Sequence, residues 1–169
     1  MSGLRVIACG SFHRTGRSEL HDLAQAARRG DPAALDAVAA ILSAGVAREA
    51  PALRAATDVT VVPMAGHRAG SVSGPAQELA LRLCAAHPGW KAAVGPERLA
   101  DAPHALDADA RDPVAEATTV AWRDVPGDGP VLLVDDVVRT GASLEAAWLA
   151  APSRIRERLV ALAAFRAED

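Results

Sequence analysis

The stretch Val131-Leu132-Leu133-Val134-Asp135-Asp136-Val137-Val138-Arg139-Thr140-Gly141-Ala142-Ser143 decides how the chain is read. Four apolar residues in a row predict a buried strand. They run into two adjacent carboxylates, then a loop to Ser143, then a helix from about Leu144 to Leu149. In an open α/β sheet, ligands bind at the carboxyl ends of the strands, and Asp135 and Asp136 sit at such an end. In Thr140-Gly141-Ala142-Ser143, the glycine permits a sharp turn that aims several amides at one anion. The start of the following helix adds partial positive charge, and the Thr140 and Ser143 hydroxyls add donors. Together these make a phosphate cradle. The aspartates need a different task. A carboxylate about 6 Å from a phosphate is repelled by ~3 kcal/mol at an effective dielectric near 20, whereas one charge-assisted hydrogen bond gains only ~1.5–3 kcal/mol. They suit hydroxyl donors, or a divalent cation shared with a second phosphate. A sugar phosphate with a free diol satisfies all these demands. The plainer alternative makes Asp135 and Asp136 solvated loop acids and Ser143 a simple N-cap.

Working outward, Leu159–Phe165 predicts a last strand, and Val125–Pro130 a tight polar turn before the central one. Ala117–Trp122 is strand-like. Residues 95–116 mix proline, aspartate and alanine with only two leucines and predict a long, mobile excursion, in which Arg98 and Arg111 read as solvated surface. Trp90–Val94 suits a short strand, and the helix begun by Pro75 stops at His87-Pro88-Gly89. Pro63–Gly74 is a loop after the β-branched strand Asp58–Val62. At the N-terminus, Leu4–Ala8 suits a first strand and Gly10–Arg17 a turn. Ser18 then caps a helix that ends at Gly30, and Asp31-Pro32 opens a second, with Leu35, Val38, Leu42 and Val46 on one face. Strands alternating with helices predict an α/β fold, a mainly parallel sheet with helices on both faces.

The chain has 169 residues, which suits one domain, and it is 50% hydrophobic and 23% charged, the balance of a globular protein. A net charge of −3 excludes a strongly basic nucleic-acid coat. Two cysteines, Cys9 and Cys84, are too few for a disulfide framework or a cysteine zinc site, so a reducing, cytoplasmic setting is expected. No apolar run approaches the ~20 residues of a membrane span. Leu4–Ala8 is too short for a signal peptide.

Residues 131–143 resemble the phosphoribosyl pyrophosphate (PRPP) motif of type I phosphoribosyltransferases: an apolar strand, two acids, two apolar residues, then Thr-Thr-Gly-x-Thr or a close variant. Among these proteins the chain is most similar to the ComF-like competence branch. Asp58–Arg68 resembles that branch's strand ending in Val-Pro-Leu-His with a following arginine. Gln77–Leu83 resembles its Asn-Gln-x-x-x-Leu-Ala helix, and Gly10–Gly30 fits more loosely. The resemblance implies one phosphoribosyltransferase-like domain over residues 1–169, with an N-terminal helical or hood part at 1–56 and a core at 57–169. It implies that Asp135 and Asp136 hold the ribose 2- and 3-hydroxyls and that Arg139, Thr140, Gly141, Ala142 and Ser143 hold the 5-phosphate. Ala65, Gly66, His67 and Arg68 become a pyrophosphate loop, in which Gly66 permits close backbone approach and Arg68 neutralises the diphosphate. Magnesium would arrive with the diphosphate, reaching the chain through Asp135 and Asp136 if at all. Residues 96–116 fall where the family has a flexible catalytic loop.

Three departures shape the functional reading. Arg139 stands where 6-oxopurine enzymes of the family have an aspartate that handles a proton, and arginine cannot act as that base. The ComF-like four-cysteine zinc element is missing. Aromatics that could stack on a base are few, and Trp148 reads as core or interface. The expected activity is transfer of phosphoribosyl from PRPP to a nitrogen acceptor. The alternative is a non-catalytic ComF-like accessory factor or regulator of DNA uptake or processing, binding PRPP, a nucleotide or single-stranded DNA. DNA would need a basic groove, with Arg5, Arg14, Arg17, Arg28 and Arg29 as candidates; these also read as an exposed helix face. A homodimer is expected by analogy with the family alone.

Overall fold

A computed structural model describes residues 3–13, 15, 18–101 and 111–168. Their strands are β1 (Arg5–His13), β2 (Val59–Pro63), β3 (Trp90–Ala92), β4 (Glu97–Arg98), β5 (Val120–Ala121), β6 (Val131–Val138) and β7 (Leu159–Glu168). Their helices are α1 (Glu19–Arg28), α2 (Pro32–Glu49), α3 (Pro51–Ala55), α4 (Gly74–Ala86), α5 (Pro113–Ala117), α6 (Ala142–Ala150) and α7 (Ser153–Arg156). Five strands form one sheet in the order β1-β7-β6-β2-β3, with every pairing parallel. β4 and β5 make a small antiparallel pair beside it.

The period-two pleat of β6 explains how both faces are covered. Leu132 and Val134 pack with Ala24, Leu42 and Leu79, so one face carries α1, α2 and α4. Val131 and Leu133 pack with Leu144, Ala147 and Ile155, so the other carries α6 and α7. The expected α/β architecture is therefore present. In the N-terminal segment β1 is an edge strand paired with β7, and α1 and α2 share the main core. No single helix among the described residues is long and apolar enough to cross a membrane.

Two helix ends matter for the site. Gly30 takes a positive φ of 81° just after α1, where glycine alone escapes a Cβ clash. The Gly30 amide donates to Ala27 O at 2.9 Å and the Asp31 amide to Ala26 O at 3.1 Å, closing a Schellman turn. Asp31 then caps α2 by accepting from the Ala34 amide at 2.9 Å, with Pro32 in the first turn. The elbow between α1 and α2 is thereby fixed, and with it Arg28 at the end of α1.

Several sequence expectations need correction. Gly10–His13 is not a turn but the second half of β1, satisfied by pairing with Phe165–Glu168. The residues between 95 and 116 are not all excursion, since they contain β4 and the start of α5; residues 102–110 lie outside the described residues. The predicted Ala117–Trp122 strand shrinks to β5, because Ala117 closes α5. β6 and β7 run past their predicted ends: their mutual ladder reaches Val138–Arg166, and pairing with β1 carries β7 on to Glu168.

Gly95 abuts the end of β2: a Cβ there would lie 2.0 Å from the Pro63 carbonyl oxygen. Backbone cannot step aside as a side-chain tip does. We predict that Gly95→Ala costs about 1–3 kcal/mol, the usual scale of overpacking, read as a lower midpoint in urea denaturation; an unchanged midpoint would contradict this close approach.

Candidate functional site

The strand order places β2 and β6 side by side, with the chain leaving β2 toward β3 on one side and continuing from β6 to β7 on the other. Ligands bind at such a switch point, outside the carboxyl ends of the strands. A cavity of about 140 Å³ lies there. Its walls include Asp135, Asp136, Arg139, Thr140, Gly141, Ala142 and Ser143, the whole predicted phosphate and hydroxyl set. Met64, Ala65 and His67 from the loop after β2, and Arg28, Arg98 and Arg111, complete most of the rest.

The cradle differs in detail from expectation. α6 starts at Ala142, not Leu144, and its N-cap is Gly141 with a φ of 85° and no side-chain capping bond. Ser18, Asp31 and Ser73 cap α1, α2 and α4 with their side chains. At α6 the opening amides have no carbonyl one turn back within the helix, a geometry that suits an anion. The Thr140 hydroxyl accepts from the Ala142 amide at 3.3 Å. Ser143 is not the cap. Its hydroxyl donates to Glu116 Oε1 at 2.9 Å and receives Arg111 Nη1 at 3.2 Å and Arg98 Nη2 at 3.4 Å.

Those contacts overturn the reading of Arg98 and Arg111 as solvated surface. Arg98 is 2% exposed. Its Nε donates to Gly66 O at 3.1 Å, its Nη1 reaches Thr119 Oγ1 at 3.5 Å, and its Nη2 bonds Glu116 Oε1. Its own carbonyl receives the Gly70 amide at 2.7 Å. Arg111 Nε lies 3.8 Å from Glu116 Oε2, which accepts no hydrogen bond among the described residues. Burial pushes the Glu116 carboxyl up, but the Arg98 hydrogen bond and charge, the Ser143 hydroxyl and the Arg111 charge outweigh it and hold it below its ordinary value. A single guanidinium thus ties the loop after β2 to the start of α6. Sequence reading missed this because burial of an arginine depends on a partner eighteen residues away; spacing gave no signal.

The acid doublet ends the apolar run of β6. Asp136 meets Arg28, whose Nε donates to Asp136 Oδ2 at 2.6 Å. Asp135 accepts the Asp136 amide at 2.9 Å, and its carboxyl also meets that of Asp136. Burial, then the charge and hydrogen bond of Asp136, push the Asp135 carboxyl well above its ordinary value. The two neighbours therefore divide into a carboxylate held by Arg28 and a carboxyl that tends to keep its proton. Four arginines against two aspartates line the cavity, so its field favours an anionic ligand. Among the described residues no three metal-ligating side chains converge. Magnesium arriving with a ligand would meet the Asp135 and Asp136 doublet in this cavity.

The loop after β2 is also rearranged. Ala65 and Gly66 are buried, but Arg68 is exposed and does not line the cavity. His67 does. Gly66 serves the loop's own closure: its amide donates to Ser71 O at 2.9 Å, and a Cβ would meet Ser71 Oγ at 2.3 Å. The Ser71 hydroxyl in turn donates to Arg68 O at 2.7 Å, which holds that turn closed. Of the arginines proposed for DNA, Arg14 and Arg17 lie outside the described residues. Arg5 is level with Leu132 through β7, four residues before Asp136, or about 13 Å along the strands. It lies at the other end of the sheet from Arg28, so the two do not share a groove. Trp148 is half-buried against the α6 face with Arg156 over its ring, away from the cavity walls. No protein-family model matches the chain, and no curated protein matches it in sequence.

Two predictions follow from these charges. Glu116→Gln leaves Arg98 buried without its counter-charge and costs about 3–5 kcal/mol, measured by chemical denaturation at neutral pH. Because the Glu116 carboxyl is held low when folded, its contribution is present above the unfolded carboxylate pKa and fades as pH falls through the folded value; the variant's deficit shrinks in acid. Asp135 has the opposite sign. Its raised carboxyl binds a proton more tightly in the folded state, so stability falls as pH rises from the unfolded pKa through the folded one. Asp135→Asn can still accept the Asp136 amide and removes the charge. It should raise the melting temperature at pH 7, by roughly 2–4 °C per kcal/mol relieved, with the gain vanishing toward pH 4.

Proposed function

We propose that the chain binds a 5-phosphorylated ribose carrying a diphosphate, with PRPP the simplest such compound, and transfers its phosphoribosyl group to a nitrogen nucleophile. One observation carries this reading: a glycine-led helix start and a carboxylate doublet face one cavity at the switch point of a parallel sheet. The α6 amides and the Thr140 hydroxyl suit the 5-phosphate. Asp136 suits a ribose hydroxyl as acceptor, and Asp135, which can hold its proton, suits the neighbouring oxygen. Arg111, Arg139 and His67 stand along the walls for the second anionic group. Magnesium, if it arrives with the diphosphate, supplies charge neutralisation there. The protein's part is positioning, plus electrostatic support for a cationic sugar centre and an anionic leaving group.

A second reading, binding without turnover, is favoured by Arg139, which lines the cavity and cannot take a proton from an acceptor. The ComF-like accessory role belongs to this reading.

Calorimetric titration with PRPP and magnesium tests the site. The native protein is expected to bind, and the double variant Asp135→Asn/Asp136→Asn to bind at least tenfold more weakly, about 1.4 kcal/mol. Equal affinity in both would reject the assigned roles. Pyrophosphate release across a panel of bases then separates the two readings: release supports transfer, and silence with PRPP still bound supports the binder.

A further inference from the structure

Arg28 is tied down at one end and open at the other. Its Nε donates to Asp136 Oδ2 at 2.6 Å, and that is its one ion pair among the described residues. Its two terminal amino groups donate to nothing else among them. The side chain is 44% exposed and lines the cavity. The Gly30 turn and the Asp31 cap fix the helix end that carries it. A guanidinium anchored through Nε still presents a planar pair of donors, the geometry that matches a two-oxygen acceptor.

The location narrows what those donors serve. The phosphate cradle belongs to the α6 side of the sheet, and Arg28 arrives from the α1 side. Asp136 bonds Arg28 directly and lines the same cavity as Asp135 and the cradle. A ligand with its phosphate in the cradle and its hydroxyls on the doublet therefore reaches Arg28 with the part beyond the hydroxyls. At that end the Asp136 carboxylate is paired by the Arg28 guanidinium, whose terminal amino groups stay open to a further anion.

We infer that Arg28 is a specificity-determining residue, whose open guanidinium edge receives a carboxylate on the group joined to the sugar, so that the acceptor or product is a carboxylate-bearing compound. This rests on the sugar-phosphate reading of the cavity given above.

Matched pairs of nucleoside 5-monophosphates test it: orotidine against uridine monophosphate, and nicotinate against nicotinamide mononucleotide. Each pair shares the phosphate and the diol and differs in a carboxylate. Calorimetry on the full chain is expected to show the acid member bound at least tenfold more tightly in both pairs. In Arg28→Met the preference should fall to within threefold. Arg28→Lys keeps the charge but not the fork, so it should retain only part of it. The ratio is read rather than either affinity, because both variants also loosen Asp136. Far-ultraviolet circular dichroism checks that the helices persist; should Arg28→Met not fold, the native ratios and Arg28→Lys still decide. Equal binding of acid and neutral partners by the native protein overturns this inference and leaves the sugar-phosphate reading standing. No binding of any of the four overturns both.

Discussion

The ion pair between Arg98 and Glu116 holds the site together. Both residues are almost wholly enclosed. Taking two such charges out of water costs several kcal/mol each, which mutual attraction offsets only when the remaining donors also find partners. Arg98 finds them in Gly66 O, Thr119 and Ser143. Each is on a different segment: the loop after β2, the turn before β5, and the first turn of α6. A hydrophobic replacement of equal volume could fill the space but would not aim Gly66 and Ser143 at each other. The pair thus acts as a spacer of fixed length at the cavity, setting how far the loop after β2 stands from the start of α6.

Above that spacer, one strand end serves two chemistries. The adjacent aspartates of β6 have different surroundings although they differ by one position. Asp136 bonds the guanidinium from α1, whereas enclosure and the like-charged carboxyl of Asp136 dominate at Asp135. Two carboxyls side by side in the chain thereby become an acceptor and a proton holder. A solvated loop, the plainer alternative at this point, would have let both turn to water and behave alike.

The order of strands and helices was readable because it rests on local signals: the apolar run at 131–134, the β-branched run at 58–62, and the cap pairs Ser18, Asp31-Pro32 and Gly30. The glycine-led start of α6 was readable for the same reason, since a glycine followed by a helix start is a local event. What escaped the reading depended on distant partners. Gly10–His13 looked like a turn because glycine and serine punctuate it, yet β7 supplies a full ladder. Arg98, Arg111 and Glu116 sat in a stretch whose composition resembles surface, and their burial follows from where α6 comes to rest. Arg28 lies 108 residues from its carboxylate partner, and no spacing rule relates them. The converse error, Arg68 as a cavity cation, came from treating a neighbour in sequence as a neighbour in space.

Because all five strands of the main sheet run the same way, its two rims are unlike. The polypeptide enters at the rim marked by Arg5 and Val160 and finishes β7 at the rim marked by His13 and Glu168, the side on which the cavity opens. For surface immobilisation the two attachment points are therefore not equivalent. A tether ahead of β1 presents the cavity to solution, while one following β7 stands beside its mouth.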